Sequence, residues 1–218
     1  MTLDFRKEHN RVLDDIFKAR RTIRMFKPDV PPRELIGQVI QAGLLAPYSG
    51  IAVSGKDYRR FVVISRGSRA TTRVAEIMKR RAMILCEQLN RQMQQDPFVQ
   101  QHGQAFARRL KTISQQGVPG IGIAPYYIVV AERKGIPAVE HRSLAHCLQN
   151  MWLKATALGL GFQLLSITAE MDEDREFCGL LGIPYGEFAL DGCVIGYPGT
   201  TPPPIKRPQV DDVTKWID

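Results

Sequence analysis

Three arginines and a hydroxyl occupy five consecutive positions near the start of the chain, in Arg20-Arg21-Thr22-Ile23-Arg24. Met25-Phe26 follows, then Asp29 among Pro28, Pro31 and Pro32. A guanidinium is a planar fork of donors that matches the oxygens of a phosphate. Several such forks at a helix end amount to a phosphate-binding capacity. Taken alone, the run fits two readings. It is a phosphate clamp, or a charged helix terminus whose arginines face water.

The elements around the run set its position. Val12, Leu13, Ile16 and Phe17 recur at helical spacing and predict a first helix from about Arg6 to Arg20, leading into it. Pro31-Pro32-Arg33-Glu34 opens a second helix with Leu35, Ile36, Val39, Ile40, Leu44 and Leu45 on one face, and Ala46-Pro47 ends it. A loop rich in turn residues runs from Tyr48 to Asp57. Tyr58 to Ser65 reads as a strand, strongest at its β-branched end. From Thr71 to about Ser114 the chain is polar and helix-favouring, with a break at Asp96-Pro97. That stretch is either a surface helical pair or an excursion that caps a ligand site or meets a partner.

Ala124 to Ala131 is a second strand. His141 to Leu158 is the clearest helix, with Leu144, Leu148, Met151, Trp152 and Ala155 on its apolar side and Gly159-Leu160-Gly161 at its end. A short extended piece, Phe162 to Ser166, follows at once. Glu173 to Leu181 reads as a short helix, and Phe188 to Pro198 as a last central strand. The tail is proline-rich through Pro202-Pro203-Pro204, then basic at Lys206-Arg207. Few strands separated by unequal helical blocks favour an α+β fold. The expectation is a single domain over residues 1–218 with a helical excursion at about 71–114.

Composition narrows the function classes. Cys86, Cys147, Cys178 and Cys193 are widely spaced, with no CxxC and no histidine at ligand spacing. That argues against a metal site and a disulfide scaffold, and for buried or partly buried thiols. The formal charge of +8 suits an anionic partner. The basic residues are dispersed, however, without an aromatic-interleaved RNA-binding pattern or a helix-turn-helix signature, so nucleic acid is not expected. No apolar run approaches membrane-spanning length, and the N-terminus lacks an apolar signal region. A cytoplasmic location is the expectation.

Side-chain catalysts are not evident. Gly120-Ile121-Gly122 precedes a strand and Gly159-Leu160-Gly161 follows a helix, so neither is the strand–glycine–helix dinucleotide fingerprint. His9, His102, His141 and His146 show no HExxH pattern, and no GxSxG occurs. Asp172, Glu173 and Asp174 are explained by capping of the short helix behind them. Phosphate-binding arginines without a catalytic constellation point to a bound cofactor that carries the chemistry.

Several motifs occur together in order: Arg20-Arg21-Thr22-Ile23-Arg24-Met25-Phe26, then Leu45-Ala46-Pro47-Tyr48-Ser49, then the strand Ala124 to Ala131. Gln149-Asn150-Met151-Trp152-Leu153-Lys154-Ala155-Thr156-Ala157-Leu158-Gly159-Leu160-Gly161 comes next. Leu181-Gly182-Ile183-Pro184, Ile195-Gly196-Tyr197-Pro198 and Lys206-Arg207-Pro208 complete the series. In this order the chain resembles the nitroreductase family of flavin enzymes over nearly its whole length.

The resemblance implies an α+β fold with a central, mostly antiparallel sheet flanked by helices, in a domain-entwined homodimer. It implies FMN held at the dimer interface, with NADH or NADPH as donor. The implied reaction is a ping-pong hydride transfer through flavin N5 to a small oxidised acceptor such as a nitro compound or quinone. The flavin, not a side chain, is the catalyst. Arg20, Arg21, Thr22 and Arg24 match the run that grips the FMN phosphate and ribityl chain. Lys206 and Arg207 match the C-terminal basic pair that closes on the same phosphate. Pro47, Tyr48 and Ser49 match a loop that reaches the flavin of the partner subunit. Leu164, Leu165 and Ser166 match the segment beside the reactive edge of the ring.

One stretch departs from the family pattern. The family loop continues Asn-x-Gln-Pro-Trp before its strand, and Gly50 to Phe61 lacks all three marked side chains. Ser49, Ser54 and Lys56 are the polar residues available in place of the asparagine. Two alternatives stay open at this point. One is a divergent flavin enzyme of the same fold, for dehalogenation or flavin processing. The other is a non-catalytic protein that binds an anion or nucleic acid.

Overall fold

The run Tyr126-Tyr127-Ile128-Val129-Val130-Ala131 has no charged position, the pattern of a strand covered on both faces. In the computed structural model, which describes residues 7–48 and 58–217, it forms most of β2 (Tyr126–Arg133). β1 (Arg59–Ser65) pairs with one edge of β2, and β4 (Phe188–Gly196) with the other. β3 (Gly161–Leu164) closes the row, in the order β1-β2-β4-β3. Each of these pairings is antiparallel. The α+β expectation and the antiparallel sheet are therefore borne out.

Helices cover both faces. α2 (Arg33–Leu44) and α5 (Glu140–Ala157) lie on one side, where Ile36, Val39, Leu144, Leu148 and Met151 meet Tyr126, Ile128 and Val130. α3 (Arg69–Gln95), α4 (Pro97–Gln116) and α6 (Arg175–Leu181) lie on the other, where Val74, Ile77, Leu110 and Phe177 meet Tyr127, Val129 and Ala131. Alternate residues of β2 thus feed opposite cores, as the two-residue period of a strand requires. α2 approaches α5 closely because residue 43 is glycine. A Cβ there would stand 2.9 Å from Met151 Cγ and 3.0 Å from Cys147 Sγ.

α1 (Lys7–Ala19) leads into the arginine run, and a short α7 (Val210–Val213) lies in the tail. Sequence periodicity gave no sign of α7, which is a single turn closed by a capping box between Gln209 and Asp212. Other boundaries shift by a residue or two, β2 running Tyr126–Arg133 rather than from Ala124 to Ala131 and β4 ending at Gly196, and two shifts change what the segment is. α6 begins at Arg175, because Asp174 accepts from Phe177 N and is the cap rather than part of the helix. The extended piece after α5 stops at Leu164, and Ser166–Glu170 turns into a 3-10 helix. The polar stretch read as an excursion is α3 and α4. Asp96 ends α3 and caps α4 by accepting from Phe98 N and Val99 N. The thiols stand as expected, with Cys147, Cys178 and Cys193 buried and Cys86 half-buried. Among the described residues no helix is long and apolar enough to cross a membrane.

Candidate functional site

The arginine run leaves α1 and becomes a strand-like lace along the edge of the sheet. Ile23 N donates to Phe162 O at 3.0 Å, and Thr22 bridges to Phe162 in parallel. Further on, Lys27 N donates to Tyr197 O at 2.9 Å. Ile23 is buried and Arg24 exposed, so alternation turns polar side chains outward. The lace lies this close because residue 161 is glycine. A Cβ there would stand 2.7 Å from Ile23 Cγ2.

Trp152 of α5 supports the run from beneath. The Arg20 guanidinium carbon lies 4.3 Å from the centre of the Trp152 ring, within cation–π range. Trp152 Nε1 donates to Arg21 O at 3.2 Å, and its ring stacks on Phe162 at 5.4 Å. Arg21 itself turns back. Its Nη1 donates to Lys18 O at 2.6 Å and Arg20 O at 2.8 Å, so it caps the C-terminal end of α1.

Arg20, Arg21, Thr22 and Arg24 line a cavity of about 510 Å³. The proline-rich tail returns to the same cavity and adds Pro202, Pro203, Pro204, Ile205 and Arg207 to its lining. Lys206 is exposed and outside that lining. Burial, then the charges of Arg207 and Arg21, push the Arg20 guanidinium below the usual arginine value. Arginine keeps its charge at neutral pH, so the cavity concentrates like charges. Among the described residues the ion pairs lie elsewhere, at Arg59–Glu132, at Arg73 with Glu76, at Arg73 and Arg80 with Glu176, at Arg81–Glu170, at Arg133–Glu187 and at Lys134–Asp172. Arg20, Arg24 and Arg207 have no carboxylate partner in this set. Such a lining has the charge and the donors to receive a multiply charged anion.

Leu164, Leu165 and Ser166 line a second cavity, of about 250 Å³. Its opposite wall is Leu85 of α3 with Phe106, Leu110 and Ile113 of α4, so the excursion covers this segment. The segment is held firmly. Leu165 N donates to Gly192 O at 2.9 Å, and Thr168 N to Leu165 O at 2.8 Å. The Tyr127 and Thr168 hydroxyls, both buried, lie 2.9 Å apart in a hydrogen bond.

Pro47 and Tyr48 line neither cavity. Tyr48 packs on Tyr58 at 4.8 Å and its hydroxyl donates to Arg133 O at 3.2 Å. Burial and the nearby Glu132 and Glu140 carboxylates raise its pKa. Arg59 ties this corner together. It donates to Gly43 O at 2.9 Å, to Ala46 O at 3.1 Å and to Pro47 O at 3.3 Å, and pairs with Glu132 at 2.9 Å. Ser49 and the rest of the divergent loop, 50–57, lie outside the described residues.

Sequence reasoning missed the support from Trp152, which it placed only on an apolar helix face. It also missed Arg59, whose partner Glu132 is opposite it in the β1–β2 register. The strand register carries that second signal; the first depends on how α5 packs.

Comparison with known proteins agrees with this architecture. The sequence model of the Nitroreductase family matches residues 17–197. A nitroreductase with bound FMN from Bacteroides fragilis NCTC 9343 superposes with a TM-score of 0.65 at 19% identity, covering 94% of this chain and 98% of the other. An iodotyrosine deiodinase bound to FMN and 3-iodo-L-tyrosine gives 0.66 at 21%, covering 94% and 99%. A nitroreductase with bound FMN from Desulfitobacterium hafniense DCB-2 gives 0.64 at 21%, covering 94% and 98%. No curated protein matches the sequence. With the family pattern spanning both the arginine lace and the sheet that carries it, the chain belongs to the nitroreductase family.

Proposed function

We propose that this protein is an FMN-dependent oxidoreductase that takes electrons from NADH or NADPH and passes them to a small oxidised acceptor. One observation carries the reading. Arg20–Arg24 and Arg207, far apart in sequence, line one cavity and have no carboxylate partner among the described residues. A dianionic phosphate fits that donor set, and each charge-assisted hydrogen bond to it contributes roughly 1.5–3 kcal/mol.

The protein's own groups have distinct tasks. Arg20, held over Trp152, and Arg24 and Arg207 bind the phosphate. Thr22 offers a hydroxyl beside them, and Lys206 adds positive charge from the tail. Arg21 keeps the end of α1 in place. The Leu164–Ser166 segment, fixed by Leu165 N and by the Tyr127–Thr168 pair, would flank the ring of bound FMN. Bound FMN supplies the redox chemistry, a hydride exchange at N5 in ping-pong fashion. Pro47 and Tyr48 would reach the flavin of a second copy, which makes the working form a homodimer, and the cytoplasm is its proposed location. Exposed apolar side chains on α1 and in the tail, such as Phe17, Val213 and Trp216, are consistent with an assembly of this kind.

The test is direct. The purified protein is expected to be yellow, to release FMN on denaturation and to consume NADH or NADPH with a quinone or nitro compound. A colourless protein that binds no added FMN contradicts the reading. A second reading keeps FMN and changes the acceptor to a halogenated aromatic. Its support is the fold shared with the iodotyrosine deiodinase and the divergent loop after Tyr48. FMN binding without turnover on quinone or nitro compounds, but with halide release, favours it.

A further inference from the structure

The 250 Å³ cavity under α3 and α4 is walled mainly by Leu85, Phe106, Leu110, Ile113 and the Leu164–Leu165 segment. An apolar cavity of about 150 Å³ holds a benzene ring, so this space suits one or two fused rings. Polar groups interrupt the wall at Gln163, Arg109 and Glu170. Glu170 is engaged by Arg81 at 3.3 Å. Arg109, exposed on α4, has no carboxylate partner among the described residues.

Gln163 is the more telling residue. It is 3% exposed, yet its Oε1 is buried without a hydrogen-bond partner. Its Nε2 reaches only Pro119 O, at a long 3.5 Å. Buried carboxamides are normally satisfied, so an orphaned acceptor in a cavity wall marks a place for a donor from a ligand. Gln163 belongs to the lining of the cavity, and one long hydrogen bond is all that holds its carboxamide.

We propose that this cavity is an acceptor subsite for an aromatic carboxylate that also carries a hydroxyl or N–H donor. Arg109 receives the carboxylate, whose two oxygens match the guanidinium fork. Gln163 Oε1 accepts from the donor, and the α3–α4 side chains enclose the ring. The Glu170 carboxylate on the same lining disfavours a dianion such as a phosphate monoester. This assignment rests on the flavin reading, because Leu164–Ser166 is shared between the cavity and the segment assigned to the ring edge.

The experiment is a fluorescence titration of the full-length protein, as purified, with 6-hydroxy-2-naphthoate. Parallel titrations use 2-naphthol, which lacks the carboxylate, and 2-naphthoate, which lacks the hydroxyl. Arg109→Gln is expected to weaken the hydroxy acid about tenfold or more and to leave 2-naphthol unchanged. Gln163→Leu is expected to weaken the hydroxy acid and 2-naphthol and to leave 2-naphthoate unchanged. Because Arg109 is exposed, its variant decides the matter if Gln163→Leu fails to fold. Absence of saturable binding, equal binding to wild type and Arg109→Gln, or displacement of FMN by the probe would overturn the proposal. FMN content, measured on the same samples, separates the two readings. A protein without FMN sinks the flavin assignment, whereas the variant pattern judges the cavity.

Discussion

Arg20 and Trp152 form a stacked pair, with the guanidinium carbon 4.3 Å from the ring centre. The same indole donates to Arg21 O and stacks on Phe162 of β3. One side chain of α5 thereby supports the lace that carries Arg20, Arg21 and Arg24.

Trp152→Phe keeps an aromatic face and removes the N–H donor. We expect about 1 kcal/mol of stability to be lost and FMN binding to weaken several-fold. Trp152→Ala also opens a cavity, at about 3–5 kcal/mol. Urea unfolding and FMN titration of both variants check this, and equal FMN affinity in all three proteins contradicts it.

Gly161→Ala places a methyl group 2.7 Å from Ile23 Cγ2. The lace must move off β3, at a cost of about 1–3 kcal/mol and with reduced FMN affinity. Adding Ile23→Ala removes the contacts to Cγ2 and Cγ1 and leaves only the Ile23 Cβ, at 3.0 Å. The double variant should recover affinity relative to Gly161→Ala, and calorimetry reads both numbers.

These supports explain what was and was not legible in the sequence. The arginine run and the basic tail were readable as charge clusters. Their convergence on one cavity depends on a proline-rich return that no local pattern encodes. The strands of the sheet were readable because β2 and β4 are buried on both faces and so nearly continuously apolar. Arg59 reads as the polar end of a strand, yet its side chain is fully buried against Glu132. Gln163 looks like a neutral residue in a short strand. Its unpartnered oxygen is set by tertiary packing, with only its Nε2 reaching Pro119 O across 44 residues of sequence.

Arg59→Met leaves Glu132 buried without its cation and frees three carbonyls at the end of α2. Breaking a buried pair from one side costs about 3–5 kcal/mol. Thermal unfolding should show that loss, and hydrogen exchange should rise around residues 43–48. The double variant Arg59→Met with Glu132→Gln should be less destabilised than Arg59→Met alone, because no unpaired buried charge remains.

Asp191 gives the fold a pH signature. Burial pushes its carboxyl up to about 6, against the Gly192 N–H, which donates to it at 2.7 Å, and the charge of His141, both of which pull it down. Its unfolded value is near 3.8. Between those values the folded protein binds more protons than the unfolded chain, so this group's contribution to stability falls as pH rises from about 4 to about 6. Asp191→Asn removes the effect. The variant should gain on the order of 2–3 kcal/mol over wild type above pH 6 and little below pH 4, as read by urea unfolding across that range.

The central claim is that Arg20, Arg24 and Arg207 hold a flavin phosphate. The most direct measurement is the FMN dissociation constant of wild type against Arg20→Ala/Arg24→Ala and Arg207→Ala, with riboflavin titrated alongside. The double variant should bind FMN about a hundredfold or more weakly, and Arg207→Ala about tenfold, while riboflavin, which has no phosphate, is bound almost equally by all three. FMN affinity that survives the double change, or riboflavin affinity that falls in step with it, would contradict the phosphate assignment.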